Sequence, residues 1–533
     1  MAIMAMVTVK NSNVFRLAIV VALLSWFVLS FSTIAGEWQF NPNLSIKETY
    51  TDNIDLTNID PTSSLASQAI VGLSADYQSR RANLTFSADN SNVFYNHDSE
   101  LNTNYLTLNT EGRYTLWTSG PEMFASANIS NSTRNSARND LGDIISGDTV
   151  QSTNYSTGLR YSTNNNTYSL SSSIIYDINE FDDGIGEYNG VTANISTSNG
   201  NNARVAFWQL SANATQNTQD LSGVNRTSEQ YIINAEFGLI TPYPFSPLIR
   251  LYGEDFSGDF TGQDQQTTPS WGPGFRWLAS PHITIDFSYN FVEDETKSDD
   301  YVASSVLWEP SARTSFYAGY SKRFFGKSYD LNIRHTTKRL TTSITYNESL
   351  EVFDRNNYER IVIGQFWCPS DISIESISQC FQPIEGDHQL ADFYSLEPIE
   401  SNEFSLNKNL NWRTSLQLAR TSFSFDTSAT RHEALESKIV DDNMGVSITM
   451  NRKISGKSNL TLLAKYDYRI FDKDNSEGSL QKDHYITYSV TYTKSLASSL
   501  STNFSLQHVD RDSSVNEYNY SEVRAIINVT KEF

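Results

Sequence analysis

Seven histidines are spread along the 533 residues, and none of them stands in a recognisable catalytic motif. A hydrolytic site needs a nucleophile, a base and an orienting acid that converge. Ser455-Gly456-Lys457-Ser458 is similar to the end of a phosphate-binding loop, but Asn451 stands where that motif needs its first glycine. We therefore predict no enzyme, no cofactor and no metal site. A lipase-type Ser–His pair is the disfavoured alternative.

Two cysteines, Cys368 and Cys380, make up the whole thiol content of the chain and lie close together. In an oxidising compartment so local a pair closes one small loop, and we predict a disulfide. Two unpaired thiols are the alternative. A zinc site would need further ligands of this kind, and only His388 is near.

The densest group of basic residues in this acidic chain lies between positions 323 and 339. Its members are Arg323, Lys327, Arg334, Lys338 and Arg339. If these side chains line a pore, they would contact an anionic glycan, as rings of Arg and Lys do in anion pores. The alternative is that they are turn and rim charges that contact lipid headgroups.

The overall composition narrows the class of protein. Lys and Arg number 39 against 61 Asp and Glu, for a net charge of −22, so we predict no nucleic-acid partner. Mean hydropathy is only −0.43, which suits either disorder or strands that are apolar on one face. The 28 Tyr, 29 Phe and 9 Trp argue against disorder, because disordered chains are poor in aromatic residues.

The N-terminal segment has the three parts of a secretory signal peptide. Lys10 and Arg16 precede an apolar run from Leu17 to Phe31, and Thr33 and Ala35 suit cleavage. The run is shorter than the ~20 residues of a membrane-anchor helix, which is the alternative. We predict a cleaved signal peptide over residues 1–35.

The mature chain alternates between apolar and polar residues with a period of two. Examples of the apolar positions are Ala69, Val71, Leu73, Ala75, Tyr77, and later Ile283, Ile285, Phe287, Tyr289, Phe291. Each run has the length of about 9–12 residues that a tilted strand needs to cross a bilayer. A soluble β-sandwich also alternates, so the alternation alone does not decide the fold.

The links between these runs alternate between short and long. Short links include Ser79–Ala82, Thr118–Glu122, Asn164–Asn166, Ser280–His282, Pro310–Ala312 and Ser495–Ser498. Long links include Asn131–Val150, Gln216–Gln230, Asp259–Thr268, Glu293–Asp300, Val352–Ser401 and Lys473–Asp483. Short turns on one side and long loops on the other are typical of membrane barrels, whereas a sandwich has no reason to keep that order.

We therefore predict an all-β fold, a transmembrane antiparallel up-and-down β-barrel of about 24 strands (range 18–24). It would occupy residues 36–533, with its first strand near Asn43, no plug domain ahead of it, and one large loop insertion at about 352–401. Aromatic residues near the proposed strand ends suggest interfacial girdles, although strands are enriched in aromatics anyway. These residues are Trp38, Phe40, Trp117, Trp271, Trp277, Trp308 and Trp412.

The last residues resemble the C-terminal strand of bacterial outer-membrane barrels. Val523, Ala525, Ile527 and Val529 alternate up to a terminal Phe533. In those barrels the terminal aromatic is a recognition signal for the insertion machinery, which we expect to be a partner here. Lys531 stands where a further aromatic is usual.

Several short motifs together resemble the outer-membrane β-barrel family associated with the PEP-CTERM/exosortase system. They are Glu48-Thr49-Tyr50-Thr51-Asp52-Asn53-Ile54-Asp55-Leu56, Trp277-Leu278-Ala279-Ser280, Trp308-Glu309-Pro310-Ser311, Arg323-Phe324-Phe325-Gly326-Lys327-Ser328-Tyr329, Arg334-His335-Thr336-Thr337-Lys338-Arg339 and Tyr346-Asn347-Glu348-Ser349. The resemblance implies a Gram-negative outer membrane, with its lipid and lipopolysaccharide as partners, and a setting of exopolysaccharide production and protein sorting. It implies no reaction and no catalytic residues.

Three functions remain open at this point. The first is a conduit or accessory barrel for exopolysaccharide export, with the polymer and its export proteins as partners. The second is a general porin with an open, steady conductance, and the third is a structural or surface-interaction barrel with a filled lumen. The segment 352–401 would decide between them if it folds into the lumen.

Overall fold

The structure, a computed structural model, describes residues 36–145, 149–221, 224–259, 266–267, 269–293, 299–352, 358–369, 380, 388–399, 403–474 and 478–533. The predicted signal peptide, residues 1–35, lies outside the described residues. None of the helices in the described part is long and apolar enough to cross a membrane.

Strands make up most of the described chain. Their bounds are Gly36–Thr51 (β1), Ser64–Ser79 (β2), Ala82–Tyr95 (β3), Thr103–Thr115 (β4), Glu122–Thr133 (β5), Thr149–Asn164 (β6), Tyr168–Phe181 (β7), Tyr188–Asn199 (β8), Ala206–Leu221 (β9), Val224–Leu239 (β10), Phe245–Gly258 (β11), Gln266–Thr267 (β12), Ser270–Ser280 (β13), Ile283–Val292 (β14), Tyr301–Ser311 (β15), Thr314–Arg323 (β16), Gly326–Thr336 (β17), Leu340–Glu351 (β18), Tyr358–Pro369 (β19), His388–Pro398 (β20), Ser405–Gln417 (β21), Thr421–Ala434 (β22), Val440–Ser455 (β23), Ser458–Asp474 (β24), Gly478–Ala497 (β25), Leu500–Ser513 (β26) and Tyr520–Glu532 (β27). The helical pieces are the short α-helix Ser136–Asn139 (α1) and the 3₁₀ turns Ser99–Leu101 and Asn516–Tyr518.

Twenty-four of these strands form one closed antiparallel ring in chain order. Each strand pairs with the next, β18 pairs directly with β21, and β27 returns to β1 with a register from Asn43↔Glu532 to Thr51↔Arg524. The two-residue β12 adds to β11, and β19–β20 forms a separate hairpin. The predicted up-and-down barrel of about 24 strands is therefore confirmed.

The period of two in the sequence separates an apolar outer face from a polar inner face. In β1, Trp38, Phe40 and Ile46 are exposed on the outside, whereas Asn43 and Lys47 line an inner cavity. All seven aromatic residues predicted to lie in girdles are exposed. Rings stack on one another near the strand ends, with 5.4 Å between the centroids of Trp38 and Phe40 and 5.7 Å between those of Phe245 and Trp277.

The two ends of the barrel differ as the link lengths predict. The short turns lie at the end that also holds Gly36 and Phe533, which we call the turn end. The longer links lie at the opposite end, called the loop end. The predicted insertion at 352–401 connects β18 to β21 at the loop end, between Glu351 and Ser405.

Two of the predicted long loops are wrong, because the strands extend through them. The described residues of the segment Gln216–Gln230 belong to β9 and β10, which remain paired up to Leu221 and Val224. The described residues of the segment Lys473–Asp483 likewise belong to β24 and β25, which pair up to Asp474 and Gly478. These residues are polar on both faces, so they show no alternation, but the ladder hydrogen bonds continue above the apolar band. At the turn end, β1 begins at Gly36 rather than near Asn43, because the alternation continues through the outward-facing Trp38 and Phe40.

Candidate functional site

The described part of the link between β5 and β6, residues 134–145, folds into the barrel, and we call it the inner loop. Sequence reasoning treated it as an outer loop, Asn131–Val150. Asn135 caps α1, because its side-chain oxygen accepts hydrogen bonds from the backbone N–H groups of Ala137 and Arg138. Ala137 and Ile145 are both buried. Between β5 and β6 the loop extends along the inner side of the wall and contacts strands β24 to β27.

Arg511 of β26 holds the C-terminal end of α1. Its Nη2 donates to the Ala137 carbonyl oxygen at 3.0 Å, and its Nη1 donates to the Arg138 carbonyl oxygen. The same guanidinium pairs with Asp483 at 2.8 Å, and both side chains are excluded from solvent. Gln481 donates to the Ala137 carbonyl oxygen at 2.6 Å. A cation suits this position, because the free carbonyls of a helix end carry partial negative charge.

Two further ion pairs fasten the rest of the inner loop to the wall. Asp140 pairs with Arg469 of β24 at 2.5 Å, and Asp143 pairs with Arg524 of β27 at 2.6 Å. Arg524 also contacts Glu522 at 2.6 Å. The loop therefore meets three arginines that come from three different strands of the wall.

Apolar contacts close both ends of the inner loop. At one end Ile145 packs with Ile54, Ala66 and Val93 of the barrel, and the Tyr95 hydroxyl donates to the Ile144 and Ile145 carbonyl oxygens at 3.0 and 3.1 Å. At the other end three buried side chains, Ala137, Leu396 and Phe471, form a cluster that Tyr358 covers.

The β19–β20 hairpin packs on the inner loop at this cluster. Asn135 donates to the Leu396 carbonyl oxygen of the hairpin at 2.7 Å. Cys368 and Cys380, the pair predicted from their spacing, are joined by a disulfide with 4.2 Å between their Cα atoms. The large insertion thus carries its own small sheet, which packs on the inner loop.

Polar cavities lie on the inner wall beside the inner loop. One of about 740 Å³ is lined by β1 to β4 and β27, with Ile144 of the inner loop at its edge. Another of about 540 Å³ lies along β18 and β21–β24 and includes Arg469, the partner of Asp140. Asn, Ser, Thr and Gln residues dominate the first lining, whereas the second adds Arg413, Asp426, Lys465 and Asp467.

The structure does not bring the five predicted basic residues together. Arg323 ends β16 at the loop end and points inward, where its Nε donates to Glu254 at 2.9 Å. Lys327 lies opposite Lys322 on the outer-facing positions of the β16–β17 hairpin. Arg334 is exposed lower in β17, and Lys338 and Arg339 lie in the turn at the turn end. These residues are close in sequence but far apart in space, because β17 runs from the loop end to the turn end of the barrel.

Phe533 lies at the turn end, where β27 closes against β1. Its backbone N–H donates to the Pro42 carbonyl oxygen at 2.9 Å, and its ring is exposed. The Lys531 ammonium lies 5.6 Å from the ring centroid. Within the described ranges, no three His, Cys, Asp or Glu side chains are arranged to hold a metal ion.

Sequence reasoning missed the three wall arginines, Arg469, Arg511 and Arg524. A signal for them exists, because each lies on an inner-facing position of a strand that a barrel would otherwise fill with uncharged polar residues. Their partners in the inner loop are Asp140 for Arg469, Asp143 for Arg524 and the Ala137 and Arg138 carbonyl oxygens for Arg511. All of them are more than 300 residues away in sequence, with a separation of 381 between Asp143 and Arg524. No local pattern links groups so distant.

No protein-family model matches this chain, and no curated protein matches its sequence. Among solved structures, the siderophore receptor PirA from Acinetobacter baumannii is 8% identical, with a TM-score of 0.44, 93% of this chain and 80% of that chain covered. A ferric enterobactin receptor (PfeA) mutant from Pseudomonas aeruginosa is 10% identical, with a TM-score of 0.45 and coverages of 93% and 80%. The FrpB iron transporter from Neisseria meningitidis is 10% identical, with a TM-score of 0.46 and coverages of 92% and 82%. At 8–10% identity, the similarity to these proteins does not indicate that this chain shares their ligands or partners.

Proposed function

We propose that this protein is an outer-membrane β-barrel that serves as a gated conduit, with exopolysaccharide as its substrate. The observation that carries the proposal is the inner loop, which three wall arginines hold over a polar inner wall. A loop fastened by ion pairs closes the barrel in one state and can be released in another.

The barrel itself supports the membrane location. A closed ring satisfies every ladder hydrogen bond, and its outward side chains form an apolar band with exposed aromatics near the strand ends. Short turns face the periplasm in such barrels and long loops face outward. The inner loop and the β19–β20 hairpin would then close the outer mouth.

The lining supports a polar, weakly charged substrate. Amide and hydroxyl side chains such as Asn41, Asn43, Ser45 and Gln68 donate and accept hydrogen bonds with sugar hydroxyls. The basic residues between 323 and 339 are dispersed, so they offer no ring for an anionic polymer. The resemblance to the exopolysaccharide-linked family adds the biological setting.

A structural barrel with a filled lumen is the second candidate. It is favoured by the buried Arg511–Asp483 pair and by the hairpin that packs on the inner loop. An open general porin fits less well, because the inner loop crosses from β5–β6 to β24–β27.

The test compares exopolysaccharide in the parent strain with that in a strain lacking this protein. Polymer lost from the cell surface or trapped in the periplasm is the expected result. Restoration by the wild-type gene is the control. Unchanged amount and location of the polymer would refute the export role and leave the filled structural barrel as the better proposal.

A further inference from the structure

Side chains of β11 and β16 meet on the inner side of the wall, and we call the recess between these strands the β11–β16 groove. Arg250 of β11 reaches Ser321 of β16, with 3.3 Å between Nη2 and Oγ, although three strands separate the two in the ring. One level higher, Arg323 of β16 pairs with Glu254 of β11. The cavity between them has a volume of about 130 Å³.

Arg250 is the unusual member of this groove. Its side chain is only 7% exposed, its Nε donates to Asn234 at 3.2 Å, and its Nη2 has Ser321. Its Nη1 is enclosed and has no hydrogen-bond partner among the described residues. A buried donor of this kind is normally satisfied by protein, water or a ligand oxygen.

The charges around the cavity are mixed. Glu236 lies opposite Arg250 in the strand register, and Asp286 pairs with Arg276 at 2.7 Å. Arg276 also lies 3.5 Å from Glu236. A free anion would be repelled by Glu236, Asp286 and Asp330, and a free cation would be repelled by Arg250 and Arg276. A neutral molecule with many hydroxyl groups meets both kinds of partner, since each hydroxyl donates to a carboxylate and accepts from an arginine.

Tyr317 and Gly319 shape the lower part of the groove. A Cβ added at Gly319 would lie 3.1 Å from the Tyr317 hydroxyl, so the missing side chain leaves room beside the phenol. Ligand sites commonly combine one aromatic surface with a few convergent polar groups. The volume equals that of about four water molecules, enough for one edge of a sugar ring.

We propose that the β11–β16 groove is a binding subsite for one unit of a neutral glycan, held by Arg250, Asn234, Glu236, Asp286 and Ser321. The inference rests on the proposed function, since a glycan reaches the groove through the lumen. It goes further in naming the position and the neutral class of the ligand.

The experiment measures binding of two probes to the purified, folded full-length mature barrel in detergent, by saturation-transfer NMR and titration calorimetry. Maltohexaose is the neutral probe and hexagalacturonate the anionic one. We expect millimolar binding of maltohexaose, weakened at least about tenfold by R250Q, which loses charge-assisted hydrogen bonds. Gly319→Leu should weaken it similarly by filling the groove while leaving every charged group in place.

Arg413→Gln is the matched control, because Arg413 is another lumenal arginine paired with a carboxylate, Asp426, outside the groove. It should change binding less than twofold. Absence of maltohexaose binding, tighter binding of hexagalacturonate, or equal losses in the control and the groove variants would overturn the proposal. Heat-modifiable gel mobility verifies folding, and Gly319→Leu keeps the test decisive if R250Q does not fold.

The outcomes also separate this inference from the export role. Surface polymer lost on gene deletion, together with no maltohexaose binding, overturns the groove and leaves the conduit. Specific maltohexaose binding with unchanged polymer supports the groove and overturns the export role.

Discussion

At the residue scale, burial decides what an ion pair contributes. The Arg511 and Asp483 side chains are 1% and 0% exposed, whereas the Arg413 side chain is 77% exposed. Removing one partner of a buried pair leaves an uncompensated charge and costs about 3–5 kcal/mol, whereas an exposed pair is worth about 0–1 kcal/mol. Arg511 therefore controls the inner loop in a way that Arg413 cannot.

Arg511→Gln should release the inner loop. The variant loses donors to the Ala137 and Arg138 carbonyl oxygens and leaves Asp483 buried without its cation. We expect a larger single-channel conductance in planar bilayers than for the wild type. Arg413→Gln is the control and should conduct as the wild type does. Equal conductance of a folded Arg511→Gln barrel and the wild type would show that the inner loop does not limit flow.

Adjacent residues on one strand offer a test of the two faces. Ile174 of β7 is 58% exposed on the outer face, and Ser173 faces inward, where Asn194 donates to its hydroxyl. Ile174→Arg should destabilise the folded barrel by about 2–4 kcal/mol in a bilayer, since it places a charge among acyl chains. Ser173→Arg should cost much less.

The measurement is denaturant-induced unfolding of both variants in phospholipid vesicles. A larger loss for Ser173→Arg than for Ile174→Arg would mean that the assignment of the two faces is reversed.

At the element scale, the β19–β20 hairpin is a separate unit attached to the ring. It forms its own two-stranded sheet and contacts the inner loop through Leu396 and Glu397. An isolated hairpin is at best marginally stable in water, so the disulfide and the contacts with the inner loop must hold it. The hairpin can therefore loosen while the barrel stays intact.

Replacing both cysteines, Cys368→Ser with Cys380→Ser, should loosen the hairpin alone. A disulfide that closes a loop of 12 residues stabilises it by about 3 kcal/mol in the chain-entropy description. We expect limited proteolysis to cut the variant within residues 353–404 while the barrel resists. Comparison with the wild type under reducing conditions should give the same pattern. An uncut hairpin in both would show that packing alone holds it.

At the scale of the whole molecule, the pairing of β27 with β1 is the step that removes both open edges of the sheet. Asn43↔Glu532 to Thr51↔Arg524 join chain segments that are nearly the full mature length apart. Such closure is slow in folding because the loop entropy is lost before the pairing forms. The residues at this seam should therefore affect assembly more than final stability.

Phe533→Ala should slow assembly of the barrel in cells. The exposed ring at the turn end contributes little to the final packing, so the folded variant should keep the wild-type thermal stability. Pulse-chase labelling with heat-modifiable gel mobility measures the assembly rate. Val515→Ala, in the link between β26 and β27, is a control that leaves the terminus intact. Unchanged assembly of Phe533→Ala would remove the role predicted for this residue.

The sequence by itself determined the class of fold, the strand number and the two faces. A period of two and alternating link lengths are local properties, repeated in every hairpin, and each hairpin adds evidence for the same barrel. The closeness of Cys368 and Cys380 made their pairing predictable for the same local reason. Strand ends were less predictable, since β9, β10, β24 and β25 continue where both faces are polar.

Only the tertiary structure decided where the inner loop goes and which charges meet. Asp143 and Arg524, and Asn135 and Leu396, meet only in the folded protein, and no spacing in the sequence relates them. Arg323 and Arg339, which are close in sequence, lie at opposite ends of the barrel because β17 runs between them. Alternation is set residue by residue along one strand, whereas contacts across the lumen depend on the strand order, register and curvature of the whole sheet.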